Sequence, residues 1–181
     1  MATIPDTLGP QMQSLLDCAN GALIDGGRPA SKRFLNPGLS VPSDDCCESG
    51  GQLWVRVLQQ FPSRTFPALD TTSGCHPLFY VAQLGVGTLR CAHTVDDHLE
   101  FPTECEMTGD ALGMLADKAL LETAIRCCWQ PTTPYQKVLL TGWTPVENEG
   151  GCVGGEWLIS VAIGACPCPE EDAPGPVEVE C

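Results

Sequence analysis

The chain has 181 residues, of which 9 are Lys or Arg and 23 are Asp or Glu, giving a formal net charge of −14. So few bases leave no positive stripe, which excludes tight binding to a nucleic-acid backbone or to an anionic membrane surface. The length suits one compact domain with a 43% apolar share, while 19 Gly and 16 Pro predict long irregular connections.

The first helix is expected over residues 9–24. Met12, Leu15, Leu16, Ala19, Ala22 and Leu23 recur at helical spacing behind Pro10, and Asp25-Gly26-Gly27 ends the run. Residues 25–51 are rich in Gly, Pro, Ser and Asp and read as an extended loop or arm. Residues 52–61 (QLWVRVLQQF) read as a strand, with Leu53, Val55 and Val57 on one face and Arg56 and Gln60 on the other. Pro62 and Pro67 are expected to break regular structure. Residues 78–89 (LFYVAQLGVGTL) read as a second strand whose apolar side is Tyr80, Ala82, Leu84 and Val86. Gly85-Val86-Gly87 reads as a closely packed or bulged strand rather than a phosphate loop.

Residues 108–128 carry the strongest helical pattern. Thr108 is the expected cap, and Asp110 complements the dipole of the first turn. Leu112, Leu115, Ala116 and Ala119 make an apolar stripe that Leu121, Ile125 and Cys128 extend. So wide an apolar surface is expected to pack on a sheet and also to touch a partner. Two strands follow, over 137–143 (KVLLTGW) and 156–163 (EWLISVAI). The link between them holds Asn148 and four glycines, which predicts a hairpin with the two strands antiparallel. Residues 167–181 form an acidic, Pro-rich tail. The expected fold is therefore α+β: an antiparallel sheet of about four strands, two helices packed on one face, and long loops. The chain divides into the N-terminal helix (1–24), the arm (25–51), an α+β core (52–166) and the tail (167–181).

No nucleophile elbow, phosphate loop or dinucleotide fingerprint is present, and the chain is expected not to be an enzyme. His76, His93 and His98 lie near Asp96 and Asp97 in sequence. They read as surface histidines, or as the acid–base groups of a small hydrolase if the fold converges them. The twelve cysteines allow three readings: disulfides, buried free thiols, or structural zinc. Zinc, which would make the chain a zinc-stabilised binding module, would use Cys91-x-His93 and Cys166-x-Cys168, although a one-residue gap is not the usual structural spacing. No metal or other cofactor is expected. The adjacent pairs Cys46-Cys47 and Cys127-Cys128 would each offer one inward and one outward sulfur. An antiparallel packing of helix and strand would bring the pair 127/128 to the pair 46/47, and such a bridge would contribute about 4 kcal/mol. Trp54, Trp143 and Trp157 are expected in sheet packing, and Trp129 is the tryptophan expected at an exposed interface.

The segments QLWVRVLQQFPS, GVGTLRC, AIRCCW and TGWTPVENEGGCVGGEWLISVAI give the chain a resemblance to a cysteine-bearing group of neck and tail-completion proteins of long-tailed actinobacterial phages. The element order is similar to that of the tail terminator. That resemblance implies a homo-oligomeric ring, usually a hexamer, which ends growth of the tail tube and joins tail to head. The implied partners are the tail tube protein, the head-to-tail connector proteins and genomic DNA sliding through the lumen without specific binding. A head-to-tail stopper or adaptor is the alternative within the same neck. No membrane is expected, since no apolar run approaches 18 residues and MATIPDTLGPQ lacks the features of a secretory signal. The implied location is the virion neck, after assembly in the host cytoplasm. Disulfides would then form once the particle leaves a reducing cytosol. Asp44, Asp45, Asp96 and Asp97 are expected to face the lumen, where negative charge repels phosphate.

Overall fold

Helix α1 (Leu8–Asp25) buries Met12, Leu15, Leu16, Ala19 and Leu23, the stripe its periodicity predicts with Ala22 at the margin, and Gln11 besides. It opens the fold in a computed structural model that describes residues 8–42, 46–47, 50–71, 79–95, 101–129, 137–146 and 151–164.

Among the described residues, five strands form one sheet. They are β1 (Lys32–Asn36), β2 (Gln52–Ser63), β3 (Phe79–Cys91), β4 (Val138–Pro145) and β5 (Cys152–Gly164), in the order β1-β2-β3-β5-β4. Strand β1 runs parallel to β2, and every other neighbour is antiparallel. The class is α+β as expected, but the sheet is mixed and has one strand more than the four antiparallel strands expected. The extra strand lies inside the stretch read as an arm. Only five residues long, it alternates exposed Arg33 and Leu35 with more buried Lys32, Phe34 and Asn36. The surrounding Gly and Pro mask so short a period. Parallel neighbours need a crossover of a dozen or more residues, and the rest of the arm supplies it.

Pro62 does not end β2; it pairs with Tyr80 of β3. Strand β1 covers β2 only from Gln52 to Arg56. Beyond that point β2 is an edge on one side, and an edge tolerates a residue without an N–H.

Helix α2 (Glu104–Thr123) begins four residues earlier than expected. Thr103, not Thr108, is the cap. Its hydroxyl accepts from the Glu106 N–H at 3.3 Å, and Glu106 Oε2 accepts from the Thr103 N–H at 2.8 Å. This capping box satisfies two donors at once, which a lone Thr108 cannot do. Thr108 instead donates to Glu104 O within the helix. Asp110 is likewise not a first-turn residue. The helix ends in a π-helical turn over Ala124–Cys128, closed by the Trp129 N–H on Ala124 O.

Both helices lie on one sheet face. Leu53 and Val55, Ala82, Leu84 and Val86, and Trp157, Ile159, Val161 and Ile163 meet α1 and the C-terminal part of α2 there. The core side of α2 is Asp117, Leu121, Ala124 and Ile125. Leu112 and Leu115, part of the wide apolar stripe expected to pack on a sheet and also to touch a partner, are 61% and 47% exposed. Trp129, expected at an exposed interface, is 4% exposed and donates to Gln11 O at 3.1 Å. The π turn adds a residue to the final turn and swings the indole under α1.

Candidate functional site

The second sheet face carries a smaller cluster, in which Trp54, Leu89, Cys46 and Cys152 pack with Phe34, Val41 and Val146. Cys46 bridges to Cys152 and Cys47 bridges to Cys91. The arm is thus sewn to β5 and β3, and covers part of the sheet face that the helices leave open. A third bridge joins Cys18 of α1 to Cys128 of the π turn. The expected bridge between pairs 127/128 and 46/47 does not form. The end of α2 lies against α1, on the sheet face opposite the arm. Cys46 and Cys47 do divide as expected, one buried and one exposed. Cys105 and Cys127 are exposed free thiols.

The disulfide at Cys91 removes that sulfur from the Cys91-x-His93 zinc pair, and Cys166 and Cys168 lie outside the described residues. Among the described residues, no three His, Cys, Asp or Glu side chains gather as a metal site would require. His93 is more than half exposed and is held by α2. Asp110 Oδ2 accepts from its backbone N–H at 2.8 Å, and Asp110 Oδ1 lies 3.0 Å from its ring Nδ1. Asp110 therefore ties the chain after β3 to the helix. His76, His98, Asp44, Asp45, Asp96 and Asp97 lie outside the described residues.

Two ion-pair clusters escaped the sequence reading. On the second sheet face, the buried Arg56 and Glu156 form a two-pronged pair, and Trp54 Nε1 donates to the same carboxylate at 3.3 Å. Near the end of α2, Asp117 is 1% exposed and accepts from Arg28 Nε at 2.5 Å and Arg90 Nε at 2.8 Å. Arg90 also donates to the carbonyls of Arg28, Pro29 and Gly50, and Arg28 donates to Gly113 O. One buried carboxylate thereby anchors the two ends of the arm. A signal for Asp117 was present: it lies four residues before Leu121 and seven before Ala124, on the core side of the helix.

Among the described residues, the surface offers three features for contact. Strands β1 and β4 are the edges of the sheet. A largely apolar groove of about 990 Å³ runs between α1 and the end of α2, lined by Pro10, Gln13, Cys18, Leu120, Thr123 and Cys127 among others. The outer side of α2 exposes Met107, Leu112 and Leu115. Among the described residues, no helix is long and apolar enough to cross a membrane. No family model matches the chain, and the search of curated proteins finds no match.

Proposed function

We propose that this chain is a structural subunit of a phage neck: the tail terminator, a ring that ends growth of the tail tube and joins tail to head. The carrying observation is where the resembling segments fall. QLWVRVLQQFPS is the whole of β2, and GVGTLRC is the second half of β3. The last segment, beginning at Thr141, contains nearly all of β5, and AIRCCW is the π turn with Trp129. Scattered over more than 100 positions, they become adjacent strands and a helix end that shares their hydrophobic core.

Surface chemistry supports the same reading. Head-to-tail contacts close a ring when each subunit offers two different surfaces, and β1 and β4 are two different sheet edges. A charge of −14 suits a conduit through which DNA slides. The three disulfides among the described residues suit a particle that persists outside its host. A stopper or adaptor of the same neck would share these traits, and the position on the tail separates them.

Native mass spectrometry of the purified chain, alone and with isolated tail tubes, tests the proposal. The expected result is a closed ring, free or capping one tube end, with each subunit lighter by two hydrogens per bridge. A chain that stays monomeric and leaves tube ends bare would overturn it.

A further inference from the structure

The outer side of α2 matches its own reverse. At 3.6 residues per turn, Glu104, Thr108, Ala111, Leu115, Ala119 and Glu122 fall within one narrow stripe, and Arg126 of the π turn continues it through its pair with Glu122. It lies opposite the core side formed by Asp117, Leu121, Ala124 and Ile125. Leu112 and Met107 flank the stripe, and Leu112, Leu115 and Met107 are 61%, 47% and 52% exposed. Small Ala111 and Ala119 sit one turn either side of Leu115, which lets another helix approach closely. The acid Glu104 stands at one end of the stripe, and the Glu122–Arg126 pair at the other.

We propose that this stripe binds the same stripe of a second copy of the chain, antiparallel, about a two-fold axis at Leu115. In that register Leu115 meets Leu115, Ala111 meets Ala119, Thr108 meets Glu122, and Glu104 meets Arg126, each of the last three twice over. The parallel arrangement sets Glu104 on Glu104 and Arg126 on Arg126, so charge selects the antiparallel one. Arg126 already donates to Glu122 at 2.8 Å. A guanidinium has five N–H donors, enough to hold a second carboxylate as well. The stripe runs about 33 Å from Glu104 to Arg126. One helix pair of that length belongs with small, reversible interfaces. The occupant is a second copy because the pattern is self-complementary layer by layer. The contact is isologous, whereas a ring closes through head-to-tail contacts. It therefore stands independently of the neck reading, and would pair free subunits or join two rings.

Sedimentation equilibrium of the full-length oxidised chain across a concentration series tests it. The expected result is reversible pairing that Leu115→Asp abolishes, with far-UV circular dichroism and disulfide content unchanged. Glu104→Arg alone and Arg126→Glu alone should each weaken pairing about 10-fold or more, and the double swap should restore it. Leu115→Cys in a glutathione redox buffer should give a covalent dimer linked through position 115, above any background from Cys105 and Cys127. A monomer at every concentration would overturn the proposal, as would pairing indifferent to Leu115→Asp and to the charge swap. So would a stripe that binds only a different protein. Rings that persist in Leu115→Asp while pairing is lost would separate this contact from ring closure.

Discussion

Glu156 on β5 reaches across β3 to Arg56 on β2, with Oε1 2.5 Å from Nη2 and Oε2 3.0 Å from Nε. The strand between them gives way because it carries glycines at the crossing. A Cβ on Gly85 would lie 2.5 Å from Glu156 Oε2, and one on Gly87 would lie 2.5 Å from Trp54 Cζ2. Gly85-Val86-Gly87 is thus a trough that seats an ion pair and an indole, the close packing that its sequence suggested.

Breaking this pair from one side should cost more than removing it whole. Glu156→Ala leaves a buried guanidinium without its carboxylate, and should lose about 3–5 kcal/mol. Arg56→Met combined with Glu156→Leu should lie much closer to the wild type. Urea denaturation of the two singles and the double, analysed as a cycle, measures the difference.

Gly87→Ala should destabilise more than Gly85→Ala. The added methyl at 87 meets Trp54, the Gly155 carbonyl at 2.6 Å and Glu156 Cβ at 2.7 Å. Backbone and a buried ring cannot step aside, whereas at 85 the nearest atom is the end of a side chain. Overpacking of this kind costs about 1–3 kcal/mol or more. Thermal unfolding of the two variants should rank them in that order.

Asp117→Ala should loosen the arm as well as the helix. Arg28 and Arg90 lose their shared carboxylate, and with it the orientation that lets Arg90 hold the carbonyls of Arg28, Pro29 and Gly50. Removing one member of a buried cluster costs about 3 kcal/mol. Arg28 is one-third exposed and recovers part of this in water. Hydrogen exchange should speed up at residues 28–32 and 50–52, and much less at Ile159 and Val161.

The bridge between Cys18 and Cys128 spans 110 positions. On the chain-entropy model a loop of that size contributes about 4–5 kcal/mol. Cys18→Ser with Cys128→Ser should lower the stability of the oxidised protein by roughly that amount. Peptide mapping without reduction should find Cys18 with Cys128, Cys46 with Cys152 and Cys47 with Cys91. A link between 127 or 128 and 46 or 47 would contradict the structure.

Acid should fray the first turn of α2. Hydrogen bonds from the Thr103 backbone and then its side chain hold the Glu106 carboxyl below its usual value of 4.5. With the folded value lowered, the contribution of the cap is complete above the unfolded value. It is lost as pH falls through the folded one. Amide shifts of residues 103–107 should therefore titrate below pH 4.5, and Glu106→Gln should abolish that titration.

The two helices and β2 to β5 were legible in the sequence because each carries its own period. Helical spacing marks α1 and α2, alternation marks β3 and β5, and a glycine-rich link marks the β4–β5 hairpin. The Thr103-to-Glu106 cap was legible too, although Thr108 was read in its place. The exposed side of α2 was only half legible. The width of the apolar face of α2 pointed to a partner, but which of its leucines stay exposed depends on where α1 and the sheet leave room. Only the tertiary structure decided the cysteine partners, the strand hidden in the arm, the burial of Trp129 and the pairs Arg56–Glu156 and Asp117–Arg90. Each of these joins residues far apart in sequence, and no local period encodes which of several equivalent cysteines or acids will meet. Packing chooses among them, because a buried charge or sulfur settles where the fold brings its partner within bonding distance.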